Sequence, residues 1–152
     1  NCTGPSGRAS GWSCDVRKTH PYGIYSELDF EEVVRTEGDS MARFKARISE
    51  IEQSCKILSQ LVDRIPEGDC CAKVPKIIKL PAGHWFQQVE ACRGAFGVYI
   101  ESTGTNQPLR MKFNSPGFCL AGAIDHLTRG EKIADLITIG GSLDYVVPDI
   151  DR

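Results

Sequence analysis

An α+β fold is what this sequence predicts: a partial helix bundle with one long helix, a β-hairpin and two short C-terminal helices. Three observations carry the prediction. Apolar residues from Met41 to Ile65 advance by threes and fours, two stretches around Phe96 and Phe113 alternate with period two, and a Ser-Pro-Gly step at Ser115 has the order that opens helices. The 152 residues suit one domain with one core. A hydrophobic share of 41% and a charged share of 25% exclude disordered and fibrous classes.

Residues 1–38 read as an irregular lead-in, rich in Gly, Ser, Pro and aromatics and without a sustained period. Arg8, Asp15, Arg17 and Lys18 lie there among glycines, as a docking surface or as internal salt bridges; the sequence leaves both open. Residues 39–65 form the long helix. Met41, Phe44, Ile48, Ile51, Cys55, Leu58, Val62 and Ile65 fall on one stripe, Asp39 is placed to cap the start, Glu52 and Lys56 form an i,i+4 pair, and Pro66 with Gly68 stops it. At 1.5 Å per residue the element is roughly 40 Å long. It is either an ordinary core helix or a strut shared with other helices of a bundle.

Residues 66–94 read as a loop, with at most a short extended piece at Ile77 to Leu80. Residues 95–114 form the hairpin, turning between Ser102 and Pro108. Residues 115–152 hold the C-terminal helices and tail. One helix runs from Ser115 to Arg129 and is closed by Gly130, and a second runs from Lys132 to about Ile139. Ile133, Ala134, Leu136, Ile137 and Ile139 make the second helix apolar nearly all round, which predicts burial. Asp135 within it then needs a partner, as an ion pair or helix cap, or else a proton-handling role.

The exclusions are as informative. A net charge of −2 argues against nucleic acid as a partner. No apolar run approaches the ~20 residues of a membrane span, and no signal peptide opens the chain, so a soluble protein is expected. Seven cysteines without a repeated Cys-x-x-Cys predict reduced thiols serving mostly as small apolar fillers, in a reducing compartment. Cys70, Cys71, His84 and Cys92 lack zinc-site spacing, so no metal is expected, and His20, His84 and His126 read as surface or capping residues. No nucleophile elbow, Walker loop or dinucleotide fingerprint occurs. A first residue of Asn rather than Met suggests a chain processed or cut from something longer.

Four blocks then carry a resemblance: "GRASGWSCDVRKTHPYGIY", "GDSMARFKARISEIEQSCKILSQLVDRIPEG", "RGAFGVYIESTGTNQPLRMKFNSPGF" and "RGEKIADLITIGGSLDYVVPDIDR". In order and spacing they resemble the C-terminal part of the D-subunit family of NADH-quinone oxidoreductase, respiratory complex I, itself related to the large subunit of nickel-iron hydrogenases. The resemblance implies a quinone-binding, electron-transfer subunit of a translocase. Quinone is its substrate, NADH is used by the whole complex, and an iron-sulfur cluster sits in a partner subunit, with no cofactor held by this chain. The implied partners are that iron-sulfur subunit, the other subunits and the N-terminal part of the same subunit. The implied location is peripheral, on the cytoplasmic side of the cell inner membrane. The long helix becomes one strut of the family's nickel-iron hydrogenase large-subunit-like bundle.

The tail carries the implied site. Hydrogenases of this superfamily end in Gly-Ser-Leu-Asp-Pro-Cys-x-x-Cys, whose two thiolates hold nickel and iron; aligned on Gly141 to Asp144, those cysteines fall at Val146 and Asp149. Neither replaces a soft thiolate. Metal-free hydrogenase-like assembly or scaffold roles stay as alternatives. Asp144 and Val146 are the implied quinone-pocket residues, with a helix cap as the other reading of Asp144, and Asp149, Asp151 and Arg152 anchor the tail. The family's histidine and tyrosine that grip the quinone head group lie upstream of Asn1. The catalytic set is therefore incomplete in this stretch, which alone is expected to be inactive.

Overall fold

The computed structural model describes residues 2–151. The lead-in is more ordered than its composition suggests, with α1 (Gly4–Arg8), α2 (Val16–Thr19) and a 3-10 turn at Tyr25–Glu27. Pro5 sits in the first turn of α1, where its missing N–H costs nothing, and Asp15 accepts the Arg17 N–H as the cap of α2. These short helices hold their shape through tertiary contacts, which a search for periodicity does not detect.

The long helix is α3 (Ser40–Leu61), continued by a 3-10 turn at Val62–Arg64. Asp39 caps it by accepting the Ala42 N–H at 2.6 Å. Its buried residues are Ala42, Arg43, Ala46 and Ile57. The stripe read from the sequence faces outward instead: Met41, Phe44, Ile48, Ile51, Leu58, Val62 and Ile65 are all exposed. A small apolar cluster of Leu28, Phe30 and Ile57, flanked by Tyr25 and Leu61, ties the lead-in to the helix.

The 66–94 loop expectation is corrected in its second half. Ala82–Ala91 is a strand, β1, antiparallel to β2 (Gly94–Thr103), which pairs in turn with β3 (Arg110–Asn114). The sheet has three strands in the order β1-β2-β3. β1 pairs along its whole length, from Ala82 opposite Thr103 to Ala91 opposite Gly94, although its own residues show no clean alternation. The ladder to β2 carries it.

α4 (Pro116–Thr128) is capped by Ser115, which accepts the Gly117 N–H at 3.1 Å. α5 (Ile133–Leu143) and α6 (Val147–Ile150) follow. The expected burial of α5 is also corrected: Ile133, Leu136 and Ile137 are exposed, because α3 and α4 cover one side of the helix and leave the rest open. Leu143 at its end is buried. The cysteine expectation changes likewise, since Cys55, Cys70, Cys71, Cys92 and Cys119 are exposed and Cys14 is buried, all as free thiols. Among the described residues, no helix is long and apolar enough to cross a membrane.

Candidate functional site

The C-terminal end of α5 is where the chain concentrates its chemistry. A helix ends with unsatisfied carbonyls and partial negative charge, which favour nearby cations. Three arginines from separate positions meet it. Arg43 donates through Nε to Ser142 Oγ at 2.9 Å, and Arg47 donates through Nη1 to the Ser142 carbonyl at 2.6 Å. Arg93, in the two-residue turn between β1 and β2, donates through Nε to the Asp144 carbonyl at 2.6 Å. Burial pulls the Arg43 and Arg47 pKa values below the usual arginine value; the neighbouring Arg47 charge adds to the effect at Arg43, while Asp144 opposes it at Arg47.

Asp144 stops the helix in the left-handed conformation, with φ 56° and ψ 38°, and its N–H reaches the carbonyls of Gly140 and Gly141. Glycine is the usual residue at such a stop; Asp is among the few others that adopt it. Its carboxylate Oδ1 lies 3.4 Å from Arg93 Nη2. Asp144 borders two cavities. One, of about 550 Å³, is edged by Met41, Phe44, Arg47, Thr138 and Ser142 and combines apolar walls with a single guanidinium. The other, of about 380 Å³, is charged, lined among others by Arg8, Arg17, Arg47, Glu50 and Glu90.

Behind the charged cavity, Arg8 is 2% exposed and joins three elements. Its Nε and Nη2 donate to Glu50 Oε1 on α3 at 3.0 and 2.7 Å, and its Nη1 donates to Glu90 Oε1 on β1 at 2.7 Å. Burial opposes the Arg8 charge, but the two carboxylates outweigh it and lift its pKa above the ordinary arginine value. Burial raises the Glu90 carboxyl against the pull of Arg8, and Glu90 Oε2 also accepts the Val16 N–H at 3.0 Å. Asp15 is fully buried, yet its bonds to Arg17 hold its carboxyl below the usual range despite the desolvation. Arg17 in turn stands 4.9 Å from the Phe30 ring centre. Of the two roles open for the lead-in charges, internal salt bridges describe Arg8, Asp15 and Arg17.

The residues singled out from the sequence are spread along the tail. Asp144 edges both cavities, and Val146, half-buried two residues on, precedes α6. Asp149 accepts a hydrogen bond from Ser115 and so joins α6 to the start of α4, while Asp151 is exposed with its N–H bonded to the Val147 carbonyl at 3.0 Å. Arg152 lies outside the described residues. Asp135 is not buried as expected: it accepts the Lys132 N–H at 3.2 Å in a capping box at the exposed start of α5. His20, His84 and His126 are exposed, and no three His, Cys, Asp or Glu side chains among the described residues cluster as metal ligands would.

Arg43, Arg47, Arg93, Glu50 and Glu90 were not picked out by sequence reasoning. One signal existed for the first two. Arginines at i and i+4 share one face of a helix and repel unless acceptors meet both.

The model of the family described as respiratory-chain NADH dehydrogenase, 49 Kd subunit, matches residues 1–79 and 73–152. The chain is 56% identical over 151 residues to the C/D-type subunit of NADH-quinone oxidoreductase from Bacteroides fragilis, covering 99% of this chain and 28% of the relative. It is 46% identical over 151 residues to the D-type subunit of NADH-quinone oxidoreductase from Desulfotalea psychrophila, covering 99% of this chain and 41% of the relative. Among solved structures, one polypeptide of the membrane-bound sulfane sulfur reductase, an archaeal respiratory membrane complex, superposes with a TM-score of 0.90 at 41% identity, covering 99% of this chain and 42% of that one. The chain thus spans well under half the length of these relatives. Matched across its whole length by the family model, and by named relatives at this identity, it belongs to the family of the 49 Kd subunit of respiratory-chain NADH dehydrogenase.

Proposed function

We propose that this chain is part of the quinone-binding, electron-transfer subunit of a complex I-like NADH-quinone oxidoreductase, passing electrons from an iron-sulfur cluster in a neighbouring subunit to quinone. The observation that carries the reading is Asp144, held on a constrained helix stop beside a cavity with apolar walls and one guanidinium. An apolar wall suits a quinone ring, and a fixed carboxylate can hold one of the two protons that two-electron reduction to the quinol consumes. Val146 lies on the same tail, and Asp149 ties that tail to the start of α4 through its bond from Ser115. The remainder of the longer subunit covers the exposed stripe of α3 as the other side of a helix bundle. The subunit sits peripherally, on the cytoplasmic side of the inner membrane, and NADH enters elsewhere in the complex.

A second reading is a related membrane-bound oxidoreductase with a different acceptor, favoured by the 41% identity to the archaeal sulfane sulfur reductase polypeptide. One experiment separates the two. The assembled complex containing full-length protein is assayed with a short-chain quinone and with polysulfide, as wild type and as Asp144→Asn and Val146→Trp. Loss of quinone reduction and altered inhibitor sensitivity in both variants support the quinone reading. Unchanged quinone turnover in correctly assembled variants would refute it, and turnover of polysulfide alone would select the second.

A further inference from the structure

We infer that Arg93, at the tip of the β1–β2 turn, is the positioning residue for Asp144: it fixes where the carboxylate stands relative to the apolar cavity. This rests on the quinone reading above. The guanidinium binds the Asp144 carbonyl through Nε at 2.6 Å and approaches carboxylate Oδ1 through Nη2 at 3.4 Å, so one planar group holds the backbone and side chain of the same residue. A lysine ammonium lacks that fork.

Three further observations single out Arg93 among the arginines at this helix end. Arg43 is already bound to Ser142 Oγ, the Gly38 carbonyl and Ser40 Oγ, and Arg47 bonds the Ser142 and Arg43 carbonyls, so both hold the helix rather than the carboxylate. The turn carrying Arg93 is itself fixed: a Cβ on Gly4 would meet Gly94 Cα at 2.5 Å and the Arg93 carbonyl carbon at 2.7 Å, so the turn lies directly on the start of α1. Finally, Asp144 is the single non-glycine residue with positive φ among the described residues. A glycine would satisfy that backbone more easily, so the side chain there is retained at a conformational cost, and backbone strain of this kind collects at functional sites. Oδ1 is met by Arg93, which is not among the residues lining the apolar cavity, so Asp144 borders that cavity while a group outside its lining sets its position.

The test uses the full-length protein in its assembled complex, with a short-chain ubiquinone analogue as probe. Arg93→Gln, Arg93→Lys, Asp144→Asn and the double variant Arg93→Gln/Asp144→Asn are compared for kcat and for the quinone KM. Arg93→Gln is expected to lower kcat by up to about 100-fold with little change in KM, because a misplacement near 1 Å has an effect of that order. Arg93→Lys should recover part of the loss. The double variant should be no slower than Asp144→Asn alone, since without a carboxylate there is nothing left for Arg93 to place. A wild-type kcat in Arg93→Gln, or losses that multiply in the double variant, would overturn the inference even where Asp144→Asn is impaired. If Asp144→Asn itself turns over quinone normally, the functional reading falls and this inference with it. Should Arg93→Gln fail to assemble, Arg93→Lys decides: assembly with a partial loss of kcat supports the role, and wild-type kcat removes it.

Discussion

The two faces of α3 make opposite use of their chemistry. The inner face buries Arg43 and presents Glu50 to the enclosed Arg8, while the outer face leaves Ile51 59% and Leu58 65% exposed. Hydrophobicity alone would reverse the two. The difference teaches that burial within this stretch follows satisfied pairing: Arg8 finds two carboxylates and Arg43 three oxygen acceptors, and groups so matched can leave water. The outer stripe has no such match and stays exposed in this stretch of chain.

Breaking the inner face should give the largest effect. Arg8→Ala leaves Glu50 and Glu90 uncompensated and is expected to destabilise the full-length protein by about 3–5 kcal/mol in denaturant unfolding. Replacing Arg8, Glu50 and Glu90 together by apolar residues of similar size should cost much less than that single change, which would show that pairing rather than charge is what the interior needs. On the outer face, Ile51→Glu and Leu58→Glu should hardly affect local folding but should each remove roughly 1.5–3 kcal/mol of burial energy wherever the stripe is covered. Native gel electrophoresis of the complex reads this as failed assembly; normal assembly of both variants would make the stripe a bare surface.

A smaller effect sharpens the same contrast through pH. Asp15→Asn should cost about 1.5 kcal/mol at neutral pH, from hydrogen bonds to a charged partner. Because Asp15 is held below its ordinary value of 3.8, its contribution is complete above that pH and is lost as pH falls toward the lower folded value. The stability gap between wild type and variant in thermal melts should therefore close below about pH 3.8. Smallest is Asp39→Ala, expected to cost about 1 kcal/mol by removing the α3 cap.

What the sequence made legible follows from the range of the forces involved. α3, its Asp39 cap, the β2–β3 hairpin and the Ser115-Pro116 start of α4 are local, and their residues announce them. β1 is not local: Trp85, Phe86 and Val89 show no strand period, and the pairing with β2 makes the strand. In the same way Asp144 could be named from its place in the tail, whereas Arg93 stands 51 positions away and joins it only once the sheet turn is folded against α1. Asp135 misled because the apolar residues around it suggested an interior that this stretch of chain does not supply.

Gly4 and Gly94 meet backbone to backbone, and a methyl group on Gly94 would lie 2.4 Å from Thr3 Oγ1. Neither site has room for any side chain, and both adopt positive φ. In a saturation library of the full-length protein scored for folded product, these two codons should therefore be jointly intolerant, because Gly4 is closed off by the main chain of Arg93 and Gly94, and at Gly94 the Thr3 carbonyl carbon at 2.9 Å and the Gly4 nitrogen at 3.1 Å remain in the way even if the Thr3 hydroxyl is removed.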